Sequence, residues 1–217
     1  AHEIKNPLQP IQMIVDQWEE SHPEFAADAT IVNQQIERIR GVLGQFRHFY
    51  DTSPLALEPL DIRTLVAEVA AARRLAFGED ISWVVREVKQ LPEVLADKER
   101  LKETLEHLLN NACEAMPEGG LVQIGFGLLS EGNQLYIEIS DSGNGMSPDT
   151  MKNLFMPFFT TKPKHTGLGL IVSRKHLTLH GGELQFASQE GIGTTATIRF
   201  PAKQASAKKS GAGAASR

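Results

Sequence analysis

The run His2-Glu-Ile-Lys-Asn-Pro-Leu8 places an imidazole beside a carboxylate, a pair suited to nucleophilic chemistry. A neutral imidazole nitrogen is nucleophilic near neutral pH. It needs its second ring nitrogen hydrogen-bonded, and Glu3 can accept that proton and support the charge that develops. Far along the chain lie four further segments: Leu108-Leu-Asn-Asn-Ala112, Asp141-Ser-Gly-Asn-Gly145, Thr166-Gly-Leu-Gly-Leu170 and Gly191-Ile-Gly-Thr-Thr195. Glycines ahead of a helix expose backbone N–H groups, and the helix dipole there favours phosphate. A carboxylate at Asp141 can accept a hydrogen bond from a base amino group, which a phosphate could not offer, while Gly143 and Gly145 let the backbone turn and approach closely. Each segment alone is a modest signal, since Gly-x-Gly is common and an Asp-rich turn often follows an edge strand. Their order and spacing together carry the weight.

Two kinds of scaffold must position these residues. Up to about residue 52, Ile4, Leu8, Ile11, Val15 and Trp18 recur at helical heptad spacing, and after a break at Ser21-His22-Pro23 so do Val32, Ile36, Ile39, Leu43, Phe46 and Tyr50. That is the seam of an antiparallel helical hairpin. One hairpin leaves its apolar groove open; two close it as a four-helix bundle, so a homodimer is expected, with packing on the chain's own second part as the other solution. With Ile4 and Leu8 on the seam, His2, Glu3 and Asn6 fall on the outer face, His2 and Asn6 being neighbours at i, i+4. Pro7 and Pro10 are expected to kink the first helix.

Asp51-Thr-Ser-Pro54 reads as a linker into residues 53–201, an α+β sandwich with helices on one face of a mixed sheet. Asp61 is expected to cap a helix to about Phe77, and Asp97 one that carries Asn111. Strands are expected over Ile81–Val88, Leu121–Leu129 and Gln134–Ser140, the last two joined around Gly132-Asn133, then over Glu183–Ser188 and Thr194–Phe200. A second long helix is expected from Thr166 to His180, stopped by Gly181-Gly182. On the Asn111 helix Leu101, Leu105, Leu108 and Ala112 form a core stripe, and Thr104, His107, Asn111 and Glu114 a polar one. Residues 202–217, rich in Ala, Ser, Gly and Lys, read as a disordered tail.

Composition narrows the function classes. The chain has 217 residues, 41% hydrophobic and 23% charged, with a formal net charge of −5. That charge argues against general attraction to nucleic acid or anionic membrane. The single Cys113 excludes an intrachain disulfide and fits a reducing compartment. No apolar run is long enough to cross a bilayer. The sequence opens at the His motif without Met, so it reads as a cytoplasmic fragment whose full-length protein is expected to carry a sensor upstream, with anchoring at an inner membrane among the expectations.

From His2 to about Pro201 the order of motifs resembles the sensor histidine kinases of two-component signalling, and His-Glu-Ile-Lys-Asn-Pro-Leu-x-Pro-Ile-Gln with a short lid looks most like their nitrogen-regulation members. The resemblance implies ATP and Mg²⁺ as cofactors, autophosphorylation on His2 and transfer to an aspartate of a response-regulator receiver domain. It implies that Asn6 positions water for dephosphorylating that regulator. It implies that Asn111 holds Mg²⁺ through its amide oxygen, which suits a hard ion that keeps several waters, and that Asp141 reads adenine, with Gly143, Gly145, Thr166, Gly167, Leu168 and Gly169 around the nucleotide and Thr195 as a weaker contact. Leu154-Phe-Met-Pro-Phe-Phe-Thr-Thr-Lys162 matches the family's phenylalanine box, and Phe155, Phe158 and Phe159 are expected to anchor a mobile loop on the core. Lys162 and Lys164 either balance the triphosphate charge or are plain exposed lysines. Two positions depart from the pattern: His107, usually Asn, stands as a second candidate at the metal or as a passive residue, and His165 replaces the first glycine of Gly-Thr-Gly-Leu-Gly-Leu. Both keep open an ATP-binding scaffold; a non-signalling ATPase of the same fold is the other alternative, against which stand His107, where such ATPases usually carry Glu, and the His-Glu helix ahead of the domain.

Overall fold

The computed structural model describes residues 2–86, 91, 93–129, 134–162 and 165–202, with backbone only at residues 2–7, 45, 48 and 49. The turn at Gly132-Asn133, Lys164, the side chains of His2, Glu3 and Asn6, and the tail from 203 lie outside the described residues. The chain forms two compact units: one comprises the chain to Ser53 together with Asn153–Val172, the other Pro54–Lys152 together with the chain from Ser173. This differs from a simple division at residue 52, because the stretch that carries Lys162 and the second glycine box groups with the helices.

In the first unit, α1 (His2–Ser21) and α2 (Ala26–Tyr50) are joined by a short 3-10 turn, Pro23–Phe25. Pro7 and Pro10 do not interrupt α1, which runs unbroken through both. Leu8, Ala29 and Ile36 are buried between the helices, and Gln12 Nε2 donates to Asn33 Oδ1 across them. Much of the described seam stays open: Ile11, Trp18, Val32, Ile39 and Tyr50 are exposed, Trp18 at 62%.

The second unit follows from caps and alternation. Its elements are β1 (Glu58–Leu60), α3 (Ile62–Phe77), β2 (Ile81–Arg86), β3 (Val94–Ala96), α4 (Lys98–Glu114), β4 (Gly120–Leu129) and β5 (Gln134–Asp141). After these come α5 (Pro148–Asn153), α6 (Gly169–Leu179), β6 (Glu183–Gln189) and β7 (Gly193–Pro201), α5 and α6 being shared with the first unit. Asp61 and Asp97 cap α3 and α4 by accepting from Arg63 N and Arg100 N, each satisfying one of the amides a helix start leaves unpaired. Two elements were not expected: the short β1–β3 pair and α5. The second long helix begins at Gly169 rather than Thr166.

The sheet order is β2-β4-β5-β7-β6, with β2 parallel to β4 and every other pair antiparallel. Strand alternation sends Ile124, Phe126, Ile137, Ile139, Ile198 and Phe200 to one buried face. The expected core stripe of α4 is buried, and α4 packs on α3 and on β5. A buried Leu of this kind contributes about 1.5–3 kcal/mol by leaving water. Helix α6 ends as the sequence implies. Gly181 has φ +73°, its N–H donates to Thr178 O, and Gly182 N–H donates to Leu177 O, closing the last turn with the left-handed residue glycine supplies.

Candidate nucleotide site

Asn111 lies in the last turns of α4, half-buried, on the polar stripe the sequence predicts. That stripe is not uniform. Thr104 is fully buried and its hydroxyl donates to Arg100 O, while His107 Nδ1 lies 3.4 Å from Ser173 Oγ on α6. Thr104 is thus covered by protein, while His107, Asn111 and Glu114 are all half-buried.

Asp141 ends β5 and is held by two backbone donors, Gly143 N–H at 2.9 Å and Thr194 N–H at 3.2 Å, both onto Oδ1. The carboxylate is therefore oriented before any ligand arrives. The glycines beside it are there for close approach. A Cβ on Gly143 would meet Ala115 O at 2.6 Å, so only glycine lets this turn sit against the end of α4. Asn144 N–H then donates to Ala115 O, and Gly191 N–H to Asn144 O, tying α4, the turn after β5 and the β6–β7 connection together. At Gly145 φ is +64° and a Cβ would meet Gln189 O at 2.0 Å.

In the last glycine-threonine turn the two threonines lie on opposite faces of the sheet. Thr195 pairs with Ser140 across β5 and β7, its Oγ1 2.8 Å from Ser140 Oγ, on the sheet face opposite Asp141. A one-residue shift along a strand changes the face. The residue beside Asp141 is Thr194, whose Oγ1 lies 2.8 Å from Ser188 Oγ. Ser188 Oγ also accepts from Met146 N–H, so a hydroxyl pair steadies this turn. The sequence carries Thr194 next to Thr195; only the β5–β7 register tells them apart.

In the first unit, Gly167 has φ +69°, and a Cβ there would meet Phe158 C and Phe159 O at 2.6 Å. The glycine lets the second box lie flat on the phenylalanine segment. Leu168 is buried, and its N–H donates to Thr166 Oγ1 at 3.3 Å. Val172 N–H donates to Leu168 O, opening α6 with Gly169 as its first residue. Phe158 does not anchor on the core: it is 60% exposed, has φ +65°, and stacks on Phe46 of α2 with centroids 6.1 Å apart. Lys162 is half-buried; its N–H donates to Thr160 Oγ1 and its carbonyl accepts from His165 N–H in a turn.

Within the second unit, the oriented carboxylate of Asp141, the glycine-lined turn after it and the amide of Asn111 are groups that suit a nucleotide; within the first, a helix opens on glycine. Among the described residues no group of three His, Cys, Asp or Glu side chains could hold a metal by itself. A Mg²⁺ ion here fits only as one that draws most of its ligands from phosphate and water. Cys113, two residues after Asn111, is buried, and that burial pushes its thiol up to about 11. It is a packing residue with little thiolate character.

Residues 96–204 match the family model described as histidine kinase-, DNA gyrase B- and HSP90-like ATPase, a span that includes Asn111, Asp141 and both glycine boxes. The chain belongs to this ATPase family. Its relatives include sensor histidine kinase ZraS of Escherichia coli (strain K12), 34% identical over 93% of the chain and 44% of ZraS. Another is sensory histidine kinase/phosphatase NtrB of Azospirillum brasilense, 31% identical over 87% of the chain and 51% of NtrB. Among solved structures, full-length ShkA in complex with AMPPNP is similar with a TM-score of 0.80 and 26% identity, over 95% of the chain and 45% of ShkA. The chain thus spans about half the length of the curated relatives it matches. The ATPase-family match begins at Ala96 and excludes the helical hairpin, whereas the ZraS and ShkA similarities extend over nearly the whole chain. Among the described residues no helix is long and apolar enough to cross a membrane.

Proposed function

We propose that this chain is the cytoplasmic catalytic core of a sensor histidine kinase that phosphorylates itself on His2. The observation that carries the reading is the joining of an ATPase-family unit to a hairpin whose first helix carries His2. The chaperone- and gyrase-type members of the family make no use of such a histidine-bearing helix. The open seam supports a homodimer: among the described residues the hairpin buries Leu8, Ala29 and Ile36, and a second hairpin would cover the exposed remainder.

In this reading Asp141 accepts from the adenine amino group, and Thr194 N–H holds the carboxylate for it. Asn111 offers its amide oxygen to Mg²⁺, which when bound neutralises charge on the phosphates. The backbone N–H groups of Thr166–Gly169 receive phosphate oxygens, and Lys162 supplies positive charge as the γ-phosphoryl group moves. One imidazole nitrogen of His2 forms the new P–N bond as the bond to the β-phosphate oxygen breaks and ADP leaves. The proton on the other ring nitrogen is held by Glu3. The product is an energy-rich phosphoramidate, able to pass its phosphoryl group to an aspartate of a receiver domain, and Asn6 would position water for the separate hydrolysis of that aspartyl phosphate, which releases inorganic phosphate.

The reading is tested by incubating the chain with γ-labelled Mg-ATP, then adding a receiver domain. The expected label is acid-labile, base-stable and chased onto the receiver. A chain that binds Mg-ATP and takes up no label would favour the scaffold or non-signalling ATPase.

A further inference from the structure

Between α4 and α6 of the second unit, three histidines make successive cross-helix contacts. His107 Nδ1 faces Ser173 Oγ at 3.4 Å, a long hydrogen bond. His176 Nε2 lies 3.8 Å from Glu103 Oε2. His180, just past the end of α6, accepts from Asp97 N–H on Nε2 at 3.0 Å. Positions descend along α4 from His107 through Glu103 to Asp97 as they ascend along α6 from Ser173 through His176 to His180, the order antiparallel helices require. Ser173, His176 and Asp97 are all buried. The far rung is fixed from both sides. His180 Nδ1 lies 2.7 Å from His176 O and donates to it, while Asp97 accepts from Arg100 N–H and from Ala56 N–H. Polar groups buried in such a row specify one register between two helices, because sliding by a turn leaves them without partners.

The near rung lies one turn before Asn111, and Ser173 stands four residues after Gly169 in the same helix. We propose that His107 is a positioning residue rather than a Mg²⁺ ligand: through Ser173 it sets the register of the glycine-box helix on the helix that carries Asn111. Imidazole is a poor partner for Mg²⁺, which prefers oxygen, and one of the two ring nitrogens is already turned to Ser173. The inference rests on the nucleotide reading of Asn111 and the glycine box given above.

The test is a double-mutant cycle read by ATP binding in calorimetry, with Mg²⁺ and with EDTA. The variants are His107→Ala, Ser173→Ala, both together, and His107→Gln, each also checked for thermal melting. A hydrogen bond of this kind predicts that each single alanine variant weakens binding roughly two- to tenfold. The loss is expected to be the same with and without Mg²⁺, the double variant no worse than either single, and His107→Gln close to wild type. A His107→Ala loss that vanishes in EDTA, or losses that multiply in the double variant, overturns the proposal and returns His107 to the metal. A His107→Gln variant that melts like wild type and binds as weakly as His107→Ala also overturns it. Failure of the wild-type chain to bind ATP at all would instead remove the nucleotide reading on which it stands.

Discussion

At the scale of single residues, orientation before binding is the recurring device. Asp141 is held by Gly143 N–H and Thr194 N–H, so the account predicts a large penalty for changing its charge. Asp141→Asn is expected to weaken ATP binding by about tenfold or more, the scale of a hydrogen bond to a charged group, measured by calorimetry. Neighbouring threonines separate by sheet face. Thr194→Ala is expected to weaken binding, since its hydroxyl pairs with Ser188 beside the Asp141 turn, whereas Thr195→Ala, on the opposite face with Ser140, is expected to leave binding near wild type. Equal effects would contradict the register argument. With its thiol at about 11, Cys113 should react far more slowly with a thiol reagent at pH 8 in the native chain than in urea.

At the scale of elements, caps and stops were legible because they are local. Asp61, Asp97 and Gly181-Gly182 each act within a turn of their own position, and all appear where the sequence places them. The β1–β3 pair was not legible: two strands of three residues carry no periodicity and find each other only through the chain between them. Thr194 was missed for a related reason, since facing is decided by pairing with β5. The burial of Thr104 and the contact of His107 with Ser173 are tertiary as well; a polar stripe looks the same whether water or protein meets it. The His180 rung makes a prediction at this scale. Burial lowers its pKa below the usual histidine value, opposed by its bond to His176 O and by Asp97 and reinforced by Arg100. A group held neutral in the fold but protonated in the unfolded chain contributes stability above the unfolded pKa of about 6.5, and that stability is lost as pH falls toward the folded value. Urea midpoints should therefore decline below about pH 6.5, and His180→Gln should flatten that decline. A variant with the wild-type slope would show that the slope arises elsewhere.

At the scale of the whole molecule, the hairpin is incomplete in a way that points beyond one chain. Ile11, Trp18, Val32 and Ile39 are exposed along a heptad stripe that a single copy does not cover. Ile39→Glu is expected to convert a dimer into a monomer in light scattering, since a buried charge on a bundle seam is costly. A wild-type chain that is already monomeric at high concentration would contradict the bundle. The central claim is that the ATPase unit serves the histidine on that bundle. It is tested most directly by giving γ-labelled Mg-ATP to the wild-type chain and to His2→Ala, with ATP binding measured on both. The account predicts equal binding, with label on the wild type alone; label that persists in His2→Ala would contradict it.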